Sequence, residues 1–523
     1  FPKPAWPLTE KRHLQRCVSR SERVLFQASR VELRASLGLP RFRRAELMSH
    51  PRPNIVYVMA DQLRYQSCGY AGDERARTPN IDRLATEGVS FSNAVVSMPV
   101  CSAYRASLMT GKYTTSTGMV INEIRISPEH HPRCLAHCLG DAGYELGYIG
   151  KWHLWANQLG NHHDPANSFT PPGPHRLGFD GYWAAYNFHH QYYGEVAYYH
   201  TGTPARNTFA EGTYEPDGQT GLAIDYIREH AAGEHPFALF LSLGTPHDPW
   251  TRSNVPEEYY SLFSDVTFAP PENYLQENDV PYGDAWSDID KDPARISEWM
   301  RVYYAMTANL DANVGRVLAA LEKCGLDQDT LVVFTSDHGE CFGAHGRMKK
   351  NIFYEEAARV PFLMKLPGVI PAGFRHYACF NCVDIMPTLL GFAGGNIPEE
   401  AEGMDLSHCA RGEAGPEPAF AFLQNTGACA AWEDGHEWRA VRDKQFTYAV
   451  YRVDGRELLF DNLADPLQMT DLAGSAAHGA VLQTFREKLS AKMDELGDHF
   501  DVSSYYRANW VSEDRLITRT AHG

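Results

Sequence analysis

Four apolar runs along the chain share one pattern, in which an uninterrupted stretch of strand-forming residues stops at a pair of polar residues. The runs cover residues 54–59, 144–149, 237–243 and 331–335. Uninterrupted apolar strands that alternate with helical stretches are typical of a parallel sheet covered on both faces. Such sheets form their sites beyond the carboxyl ends of the strands, so we expect the polar residues to meet in one cleft. These residues are Asp61 and Gln62, Lys151 and His153, His247 and Asp248, and Asp337 and His338.

Helical patterns fill the gaps between these runs. Thr78 and Pro79 predict the start of a helix that ends near Gly88, and an amphipathic pattern predicts a long helix over about residues 294–323. We therefore predict an α/β fold with a large mixed, mostly parallel sheet sandwiched by helices. We assign residues 48–415 to this domain.

The pattern changes after residue 415, where short alternating runs replace the long apolar ones. Such alternation, followed by an amphipathic stretch, predicts a small α+β subdomain with an antiparallel sheet, which we assign to residues 416–523. The predicted strands are 438–441, 446–453 and 457–460, and the predicted helix is 480–496.

Two segments with little periodicity, residues 155–220 and 250–292, are rich in Pro, Gly, Asn, His and aromatic residues. Long loops above a sheet usually shape substrate pockets. The first segment could line a sugar or aryl pocket, and a plain His-rich surface loop is the alternative. Its candidate pocket residues are His189, His190, Tyr192 and Tyr193.

Residues 1–47 differ from the rest of the chain in charge. They contain eleven Lys and Arg against four acidic residues, whereas the whole chain has a net charge of −17. Arg-rich, acid-poor sequence is typical of a transit peptide, but Met48 stands just before the first predicted strand and could be the natural start. We therefore expect a basic N-terminal extension, either a targeting segment or residues that the natural protein lacks.

The acidic net charge disfavours a nucleic-acid partner, because phosphate backbones are bound by concentrated Lys and Arg. No apolar run approaches the ~20 residues needed to cross a bilayer, and no secretory signal is recognisable. Eleven cysteines without a regular spacing fit reduced thiols. We therefore expect a cytoplasmic protein with no membrane partner.

Two cysteine pairs, Cys134/Cys138 and Cys379/Cys382, come nearest to the spacing of a zinc-thiolate site. Each pair lies in sequence that otherwise predicts the core of a helix or strand. Core packing is therefore the preferred interpretation, with a zinc site as the minor alternative.

Cys101 is the candidate nucleophile. It follows Pro99 at the predicted start of a short helix, where the positive end of the helix dipole favours an anion. Arg105 lies one helical turn later, so its guanidinium can reach the same point. A cysteine at the start of a helix is by itself more often a buried small side chain than a catalytic residue, so the surrounding sequence has to distinguish the two.

The stretch 101–112 resembles the sulfatases of the alkaline-phosphatase superfamily, whose motif Cys-x-Pro/Ala-x-Arg precedes small residues and Leu-x-x-Gly. Cys101, Ala103, Arg105, Leu108 and Gly111 match this motif, with Ala103 where Pro is commoner. The resemblance covers about residues 52–475. Its further matches are NIVYVMADQ at 54–62, TPNID at 78–82, GKWH at 150–153, TPH at 245–247, SDHGE at 336–340 and FDNLADPLQMTDLA at 460–473.

The resemblance implies an alkaline-phosphatase-like fold and hydrolysis of a sulfate monoester on a sugar or aryl group. It implies that a formylglycine-generating enzyme oxidises Cys101 to formylglycine (3-oxoalanine), whose metal-bound hydrate attacks sulfur. Arg105 would steady this hydrate. Lys151 and His153, which alternate on extended backbone and so point to one side, would contact the sulfate and assist collapse of the hydrate, respectively.

The same resemblance implies roles for three residues around the sulfate. His247 and Lys350 would bind it and protonate the leaving oxygen, and Asn122 would bind a nonbridging oxygen. Lys349 adjoins Lys350, and Lys350 is preferred because its spacing to Phe353 matches the pattern of the family.

A divalent cation is expected beside the nucleophile, where a fixed positive charge favours both ionisation and sulfate binding. A single Asp after a strand often caps a turn, but two Asp-polar pairs after two apolar strands favour a metal site. Mostly oxygen donors favour Ca²⁺, and an imidazole makes Mn²⁺ the alternative. The expected ligands, two of them by resemblance, are Asp61, Gln62, Cys101, Asp337 and His338.

Two other functions remain open. A phosphonate monoester or phosphodiester hydrolase of the same superfamily would use the same oxidised Cys and similar metal pairs. A noncatalytic relative that binds sulfated glycans is disfavoured because every candidate acid, base and metal ligand is present. The expected partners are a sulfated small molecule or oligosaccharide, the maturation enzyme and, in a homo-oligomer, further copies of the chain.

Overall fold

The first strand, β1 (Asn54–Ala60), shows why the first apolar run contains no polar position. Ile55, Tyr57 and Met59 pack in one hydrophobic cluster, and Val56 and Val58 pack in another. Alternate side chains of a strand point to opposite faces of the sheet. Both faces of β1 are therefore buried, as a continuous apolar run predicts.

The computed structural model describes residues 52–156, 163–279, 281–286, 289–513 and 515–523. The basic extension predicted for residues 1–47 lies outside the described residues, so it stays a prediction. Among the described residues, no helix has the length and apolar character needed to cross a membrane.

The large sheet has eight strands in the order β10-β2-β9-β8-β1-β7-β3-β4. Its pairs are parallel except those that β9 makes with β2 and β8. This mixed, mostly parallel sheet confirms the predicted fold class. The strands besides β1 are β2 (Val89–Phe91), β3 (Glu145–Lys151), β4 (Tyr182–Tyr186), β7 (Phe237–Ser242), β8 (Thr330–Ser336), β9 (Phe362–Lys365) and β10 (Phe374–His376).

Helices cover both faces of this sheet. The helices Pro79–Glu87, Glu215–His230 and Pro293–Cys324 contribute to the cluster that contains Val56, and Cys101–Thr110, Leu135–Asp141 and Ile385–Ala393 contribute to the cluster that contains Ile55. Within the described part of the chain, the remaining helices of four residues or more are Thr114–Thr117, Pro165–Ser168, Glu257–Ser261, Glu355–Ala358, Ser407–Ala410, Gly479–Leu496 and Ser503–Trp510.

The long helix Pro293–Cys324 has clear signals at both ends. The Asp292 side chain accepts hydrogen bonds from the backbone N–H groups of Ala294 and Arg295, which have no partner within the helix. Gly325 ends the helix with φ of 71°, a left-handed conformation that glycine adopts without strain. The predicted span of about 294–323 is thus close to the observed one.

A four-stranded antiparallel sheet in the order β11-β12-β13-β14 lies in the C-terminal region. The helix Gly479–Leu496 packs on it, since Phe485 shares a hydrophobic cluster with Val441 and Tyr448. The pattern predicted three of these strands and the helix, but missed β11. The domain boundary at residue 415 stays a prediction. The bounds are β11 (Ala421–Asn425), β12 (Trp438–Arg442), β13 (Phe446–Tyr451) and β14 (Glu457–Asp461).

Segment 155–220, predicted as a loop, also contains ordered structure. Strand β4 pairs in parallel with β3 and forms one edge of the large sheet. A short edge strand of aromatic residues lacks the alternation that identifies half-buried strands, which explains why the pattern missed it. Two small antiparallel pairs complete the strands of the described residues: β5 (Tyr198–Tyr199) with β6 (Asn207–Thr208), and β15 (Val511–Ser512) with β16 (Leu516–Ile517).

Candidate active site

The four polar clusters follow four strands that are neighbours in the sheet, in the order β8, β1, β7, β3. Their carboxyl ends are level, because Ala60 pairs with Ser336, Met59 with Ser242, and Ser242 with Gly150. The polar residues that follow therefore emerge at one edge of the sheet.

Cys101 is the first residue of the helix Cys101–Thr110, and its thiol faces this edge. Its Sγ lies 3.1 Å from Nε2 of His338, 3.1 Å from Nζ of Lys350 and 3.7 Å from Oδ1 of Asp61. Burial and the Asp61 charge raise the pKa of the thiol, but Lys151 and Lys350 oppose them, and the net pKa lies below its ordinary value. The site therefore favours an anion at position 101.

Four residues form a buried group with the chemistry of a metal site: Asp61, Cys101, Asp337 and His338 each offer one ligand atom, and these atoms lie within 4.8 Å of one another. Nδ1 of His338 lies 3.0 Å from the Gly339 carbonyl, to which it can donate, so the lone pair of Nε2 faces the group. Burial lowers the pKa of His338 to about 4, so the ring is neutral at neutral pH. Two carboxylates and a neutral imidazole fit a divalent cation.

Gln62 adds an amide oxygen to this group. Its Nε2 donates to Oε2 of Glu340 at 2.6 Å, and its Oε1 accepts from Nζ of Lys350 at 3.1 Å. The backbone N–H of Gln62 also donates to Oδ1 of Asp337, at 3.1 Å. The carbonyl end of the amide is therefore turned toward the cationic side of the site.

Arg105 connects three of the strand ends. Its Nη1 donates to the Lys151 carbonyl at 2.6 Å and to Oγ of Ser242 at 2.7 Å, and its Nη2 donates to Oδ2 of Asp337 at 3.1 Å. The same Nη2 lies 3.6 Å from Oδ2 of Asp61. Burial opposes the charge of Arg105, but Asp337 and other neighbours raise its pKa above the ordinary value. The guanidinium is thus a fixed positive charge that orients both carboxylates.

Lys151 and His153 line the β3 side of the site. The Lys151 ammonium contacts the Asp61 carboxylate, and both side chains are fully buried. His153 stacks on Phe188 with 4.6 Å between ring centroids, and neither ring nitrogen has a hydrogen-bond partner among the described residues. Burial, and then Lys151 and Arg105, hold the pKa of His153 well below its usual range. The imidazole is therefore held in its neutral form, which can accept a hydrogen bond from a hydroxyl group.

Lys350 and His247 complete the opposite side. Nζ of Lys350 lies 3.0 Å from Nε2 of His247, and Nδ1 of His247 lies 2.8 Å from the Asp248 carbonyl. The neighbouring Lys349 instead pairs with the Asp248 carboxylate and lies over the Trp250 ring. Lys350, the lysine preferred from the sequence, is thus the one that lies beside Cys101.

Asn122 lies beside the nucleophile helix, but its amide is engaged by protein groups. Its Oδ1 accepts from the backbone N–H of Ser102 at 3.1 Å and from the Ser102 hydroxyl at 2.8 Å, and its Nδ2 donates to Sγ of Cys429 at 3.2 Å. These contacts hold the first turn of the helix. Binding of a sulfate oxygen by Asn122 stays a prediction.

Three residues of the site received no role from the sequence. Glu340 accepts a hydrogen bond from Gln62, and Ser242 accepts one from Arg105. The ring of Trp286 lies under Nζ of Lys350, with 5.5 Å between Nζ and the ring centroid. Glu340 stands in the SDHGE stretch, which is the one signal that could have identified it. Ser242 is the last residue of a buried strand and Trp286 lies in an irregular segment, so neither carries a local signal.

A second group of potential ligands, His376, Cys409 and Glu417, lies near the surface. Nδ1 of His376 accepts the backbone N–H of Ala378 at 3.1 Å, which places the proton of the neutral ring on Nε2. Since Nε2 is the atom that faces Oε1 of Glu417, at 3.8 Å, this tautomer opposes metal binding there. The two cysteine pairs considered from the sequence, Cys134/Cys138 and Cys379/Cys382, belong to neither ligand group. The ten cysteines within the described residues are all free thiols.

Comparisons with known proteins find similar sequences over most of the chain. The sequence model of the family described as "Sulfatase" matches residues 53–395, and that described as "N-sulphoglucosamine sulphohydrolase, C-terminal" matches residues 343–495. An ulvan-active sulfatase of Formosa agariphila is 36% identical over 458 residues, which cover 87% of this chain and 84% of that protein. An N-acetylglucosamine-6-O-sulfatase of Bacteroides thetaiotaomicron is 27% identical over 500 residues, covering 86% and 87%.

The solved structure of a phosphonate monoester hydrolase of Agrobacterium radiobacter shares the fold. It superimposes with a TM-score of 0.67 at 22% identity, covering 85% of this chain and 96% of the other. At this level of identity the similarity shows the fold alone.

Proposed function

The chain belongs to the sulfatase family and is a sulfuric ester hydrolase; on that premise, we propose that it cleaves the sulfate ester of a sugar with a nucleophile made from Cys101. The observation that carries the proposal is the position of Lys350. Its Nζ lies 3.1 Å from Sγ of Cys101 and 3.0 Å from Nε2 of His247, between the nucleophile and the candidate proton donor.

With a divalent cation bound, the site would have the charge that a sulfate ester requires. Arg105, Lys151 and Lys350 balance the carboxylates of Asp61, Asp337 and Glu340, and all six side chains are buried. A bound divalent cation would give the site its net positive charge. Low dielectric surroundings strengthen the attraction of such cations for an anion. A monoanionic sulfate ester would therefore meet buried cations and a bound divalent ion in surroundings of low dielectric.

Enzymes of this family rely on a metal ion and on formylglycine, and we propose Ca²⁺ for this chain, with Mn²⁺ as the alternative. Asp61, Gln62, Asp337 and His338 would hold the ion beside residue 101. When bound, a divalent cation supplies positive charge that favours an ionised nucleophile and neutralises a sulfate oxygen.

Formation of the nucleophile requires a maturation enzyme and an external oxidant. The Cβ–S bond of Cys101 would break, two electrons pass to the oxidant, sulfur leave as sulfide, and an oxygen atom from water make Cβ an aldehyde. Water then adds to the aldehyde and gives a geminal diol. One hydroxyl, after releasing its proton to water, would attack sulfur as an oxyanion while the bond from sulfur to the leaving oxygen breaks.

The positions of the described side chains support an assignment of two proton transfers. Nδ1 of His247 can donate to the Asp248 carbonyl, so its Nε2 is the acceptor for the Lys350 ammonium. The ammonium therefore supplies the proton that the Lys350–His247 pair delivers to the leaving oxygen. His153 accepts the proton of the remaining hydroxyl. The C–O bond to sulfate then breaks, sulfate leaves, and the aldehyde forms again.

A sugar is the proposed carrier of the sulfate. The relatives named above are described as acting on ulvan and on N-acetylglucosamine 6-O-sulfate groups. In this chain, His190 stacks on His247 with 3.8 Å between centroids, and the half-buried Trp286 lies near Lys350. Flat rings beside the reacting group suit stacking on a sugar.

Peptide mass spectrometry across Cys101 of protein from its native host tests the nucleophile. The expected result is a loss of about 18 Da, the change from thiol to aldehyde that activates this position. The peptide that contains Cys429 is the internal control, because this thiol is also buried near the site and should keep its mass. An unmodified Cys101 in active protein would overturn the formylglycine mechanism.

Activity assays separate the two hydrolase functions. We expect faster turnover of a sulfated sugar or aryl sulfate than of phenyl phosphonate. The phosphonate monoester hydrolase with the same fold makes phosphonate the proper competitor. A preference for phosphonate would contradict the proposal and support the alternative. The cytoplasmic location, the maturation enzyme and a homo-oligomer stay predictions.

A further inference from the structure

Glu340 is a fully buried carboxylate at the edge of the site, and three N–H groups point at it. Nε2 of Gln62 donates to its Oε2 at 2.6 Å, and the backbone N–H groups of Lys349 and Phe342 donate to its Oε1 at 2.8 and 3.0 Å. An ionised carboxylate only accepts hydrogen bonds, so it suits a position surrounded by donors. Neither the sequence motif nor the proposed mechanism gives this residue a task.

The bond to Gln62 decides which end of an amide faces the metal site. The two ends of a glutamine amide have almost the same shape but opposite polarity. Because Glu340 holds Nε2, Oε1 is directed to Nζ of Lys350 at 3.1 Å. The reverse orientation would place an NH₂ group against the Lys350 ammonium and against any cation bound there.

We infer that Glu340 is a positioning residue that orients Gln62 so that its carbonyl oxygen serves as a metal ligand. This inference rests on the proposed metal site. Hydrogen-bonding partners of metal ligands typically change metal affinity about 10- to 100-fold when they are altered. Glu340 would act on the cation only through Gln62.

The second oxygen of Glu340 extends this effect to the sulfate side. It holds the backbone of Lys349, which has φ of 65° and immediately precedes Lys350. A left-handed conformation at a lysine persists only when surrounding contacts enforce it. The same carboxylate therefore fixes a metal ligand and the segment that places the lysine beside Cys101.

Glu340→Gln tests the inference without changing the size of the side chain. The new amide can keep its oxygen on the two backbone N–H groups, but its NH₂ then faces Nε2 of Gln62. Two donors repel, and a flip of the Gln62 amide relieves the repulsion by turning Nε2 toward the metal site. We expect metal affinity about 10- to 100-fold weaker than in the wild type.

The double variant Gln62→Glu/Glu340→Gln restores the bond with reversed polarity. The amide at position 340 donates to the carboxylate at position 62, whose other oxygen faces the metal site. We expect its metal affinity to return to within a few-fold of the wild type or above it. Gln62→Glu alone sets two carboxylates against each other and should bind metal less well than the double variant.

The measurement is titration of chelator-treated full-length protein with Ca²⁺ and, separately, Mn²⁺, followed by calorimetry. Thermal unfolding of each metal-free variant reports whether the fold is kept. Glu355→Gln is the matched control, because Glu355 is also buried and binds Arg442, with no described contact to Gln62. The control should lose stability and keep metal affinity.

The outcomes distinguish failure of the proposed metal site from failure of the role inferred for Glu340. If the wild type binds neither cation, the proposed metal site fails and the inference fails with it. If the wild type binds a cation and Glu340→Gln binds it equally well, the inference alone is overturned. Weak binding by Glu340→Gln that the double variant does not recover would also overturn it, since general damage to the site would then explain the loss.

Discussion

The Arg105 guanidinium donates to Oδ2 of Asp337 at 3.1 Å and thereby ties the helix that begins at Cys101 to the end of β8. The partners are 232 residues apart in sequence. Both are fully buried, so the charge of each is stabilised by the other and not by water. This contact therefore helps to fix the distance between the nucleophile and the carboxylates.

Arg105→Lys removes the planar fork while keeping the positive charge. A lysine cannot bind Asp337, Ser242 and the Lys151 carbonyl together, so we expect kcat to fall about 100- to 1,000-fold. Steady-state kinetics on an aryl sulfate measures the loss. Arg439→Lys is the control, because Arg439 is an equally buried arginine paired with Asp498. Kinetic damage of the same size in both variants would contradict a specific role for Arg105.

The two adjacent lysines should behave differently. Lys350→Ala removes the ammonium that contacts Cys101 and His247, and we expect kcat/KM to fall about 100-fold or more. Lys349→Ala breaks an ion pair with Asp248 and should lower kcat/KM less than tenfold. The measured ratio checks the assignment of the sulfate-contacting lysine. Equal losses would contradict it.

His338→Asn should change which metal the site prefers. Replacing an imidazole nitrogen with an amide oxygen makes the donor set harder, so affinity for Mn²⁺ should fall relative to Ca²⁺, by about tenfold. Competition between the two ions at equilibrium reports the ratio. Wild-type selectivity in the variant would mean that His338 is not a ligand.

His131 should make stability depend on pH. Burial lowers the pKa of its ring to about 4 from an ordinary value near 6.5. The unfolded chain therefore binds the proton more readily, and stability present above pH 6.5 is lost as pH falls through 4. The contribution is at most roughly 3 kcal/mol.

Urea unfolding of the wild type and His131→Gln between pH 4 and 7 isolates this contribution, since other buried histidines affect both proteins alike. Nε2 of His131 lies 3.0 Å from the Thr117 carbonyl, and glutamine keeps a donor for that contact. We expect a shallower decline of stability with acid in the variant. Parallel curves would show that His131 does not carry the effect.

Trp286→Ala should separate sugar substrates from small ones. The indole is half-buried, and Nζ of Lys350 lies over its ring, 5.5 Å from the centroid, so a sugar attached to a sulfate at Lys350 would be within reach of the indole. Loss of stacking should raise KM for a sulfated oligosaccharide about tenfold and change KM for a small aryl sulfate much less. Trp299→Ala, a partly buried tryptophan on the long helix, is the control. An equal change for both substrates would contradict the proposed stacking.

Much of the fold follows from local pattern. The central strands, the helix that begins at Cys101 and the long helix could be predicted because their sequence signals come from residues close together in the chain. The pattern missed β2, β4, β9, β10 and β11, which are short or edge strands that carry little alternation. It also failed at Glu340, whose bond to Gln62 joins residues 278 positions apart.

The sequence by itself determined the parallel sheet, the polar residues at its strand ends and the resemblance to the sulfatases. The tertiary structure decided which of two adjacent lysines lies beside Cys101, which end of the Gln62 amide faces inward, and which nitrogen of His338 is directed to the thiol. The physical reason is the separation in sequence between the residues that interact. Strand and helix patterns record interactions between near neighbours in the chain, whereas the orientation of a buried polar group is set by partners that only packing brings within hydrogen-bonding distance.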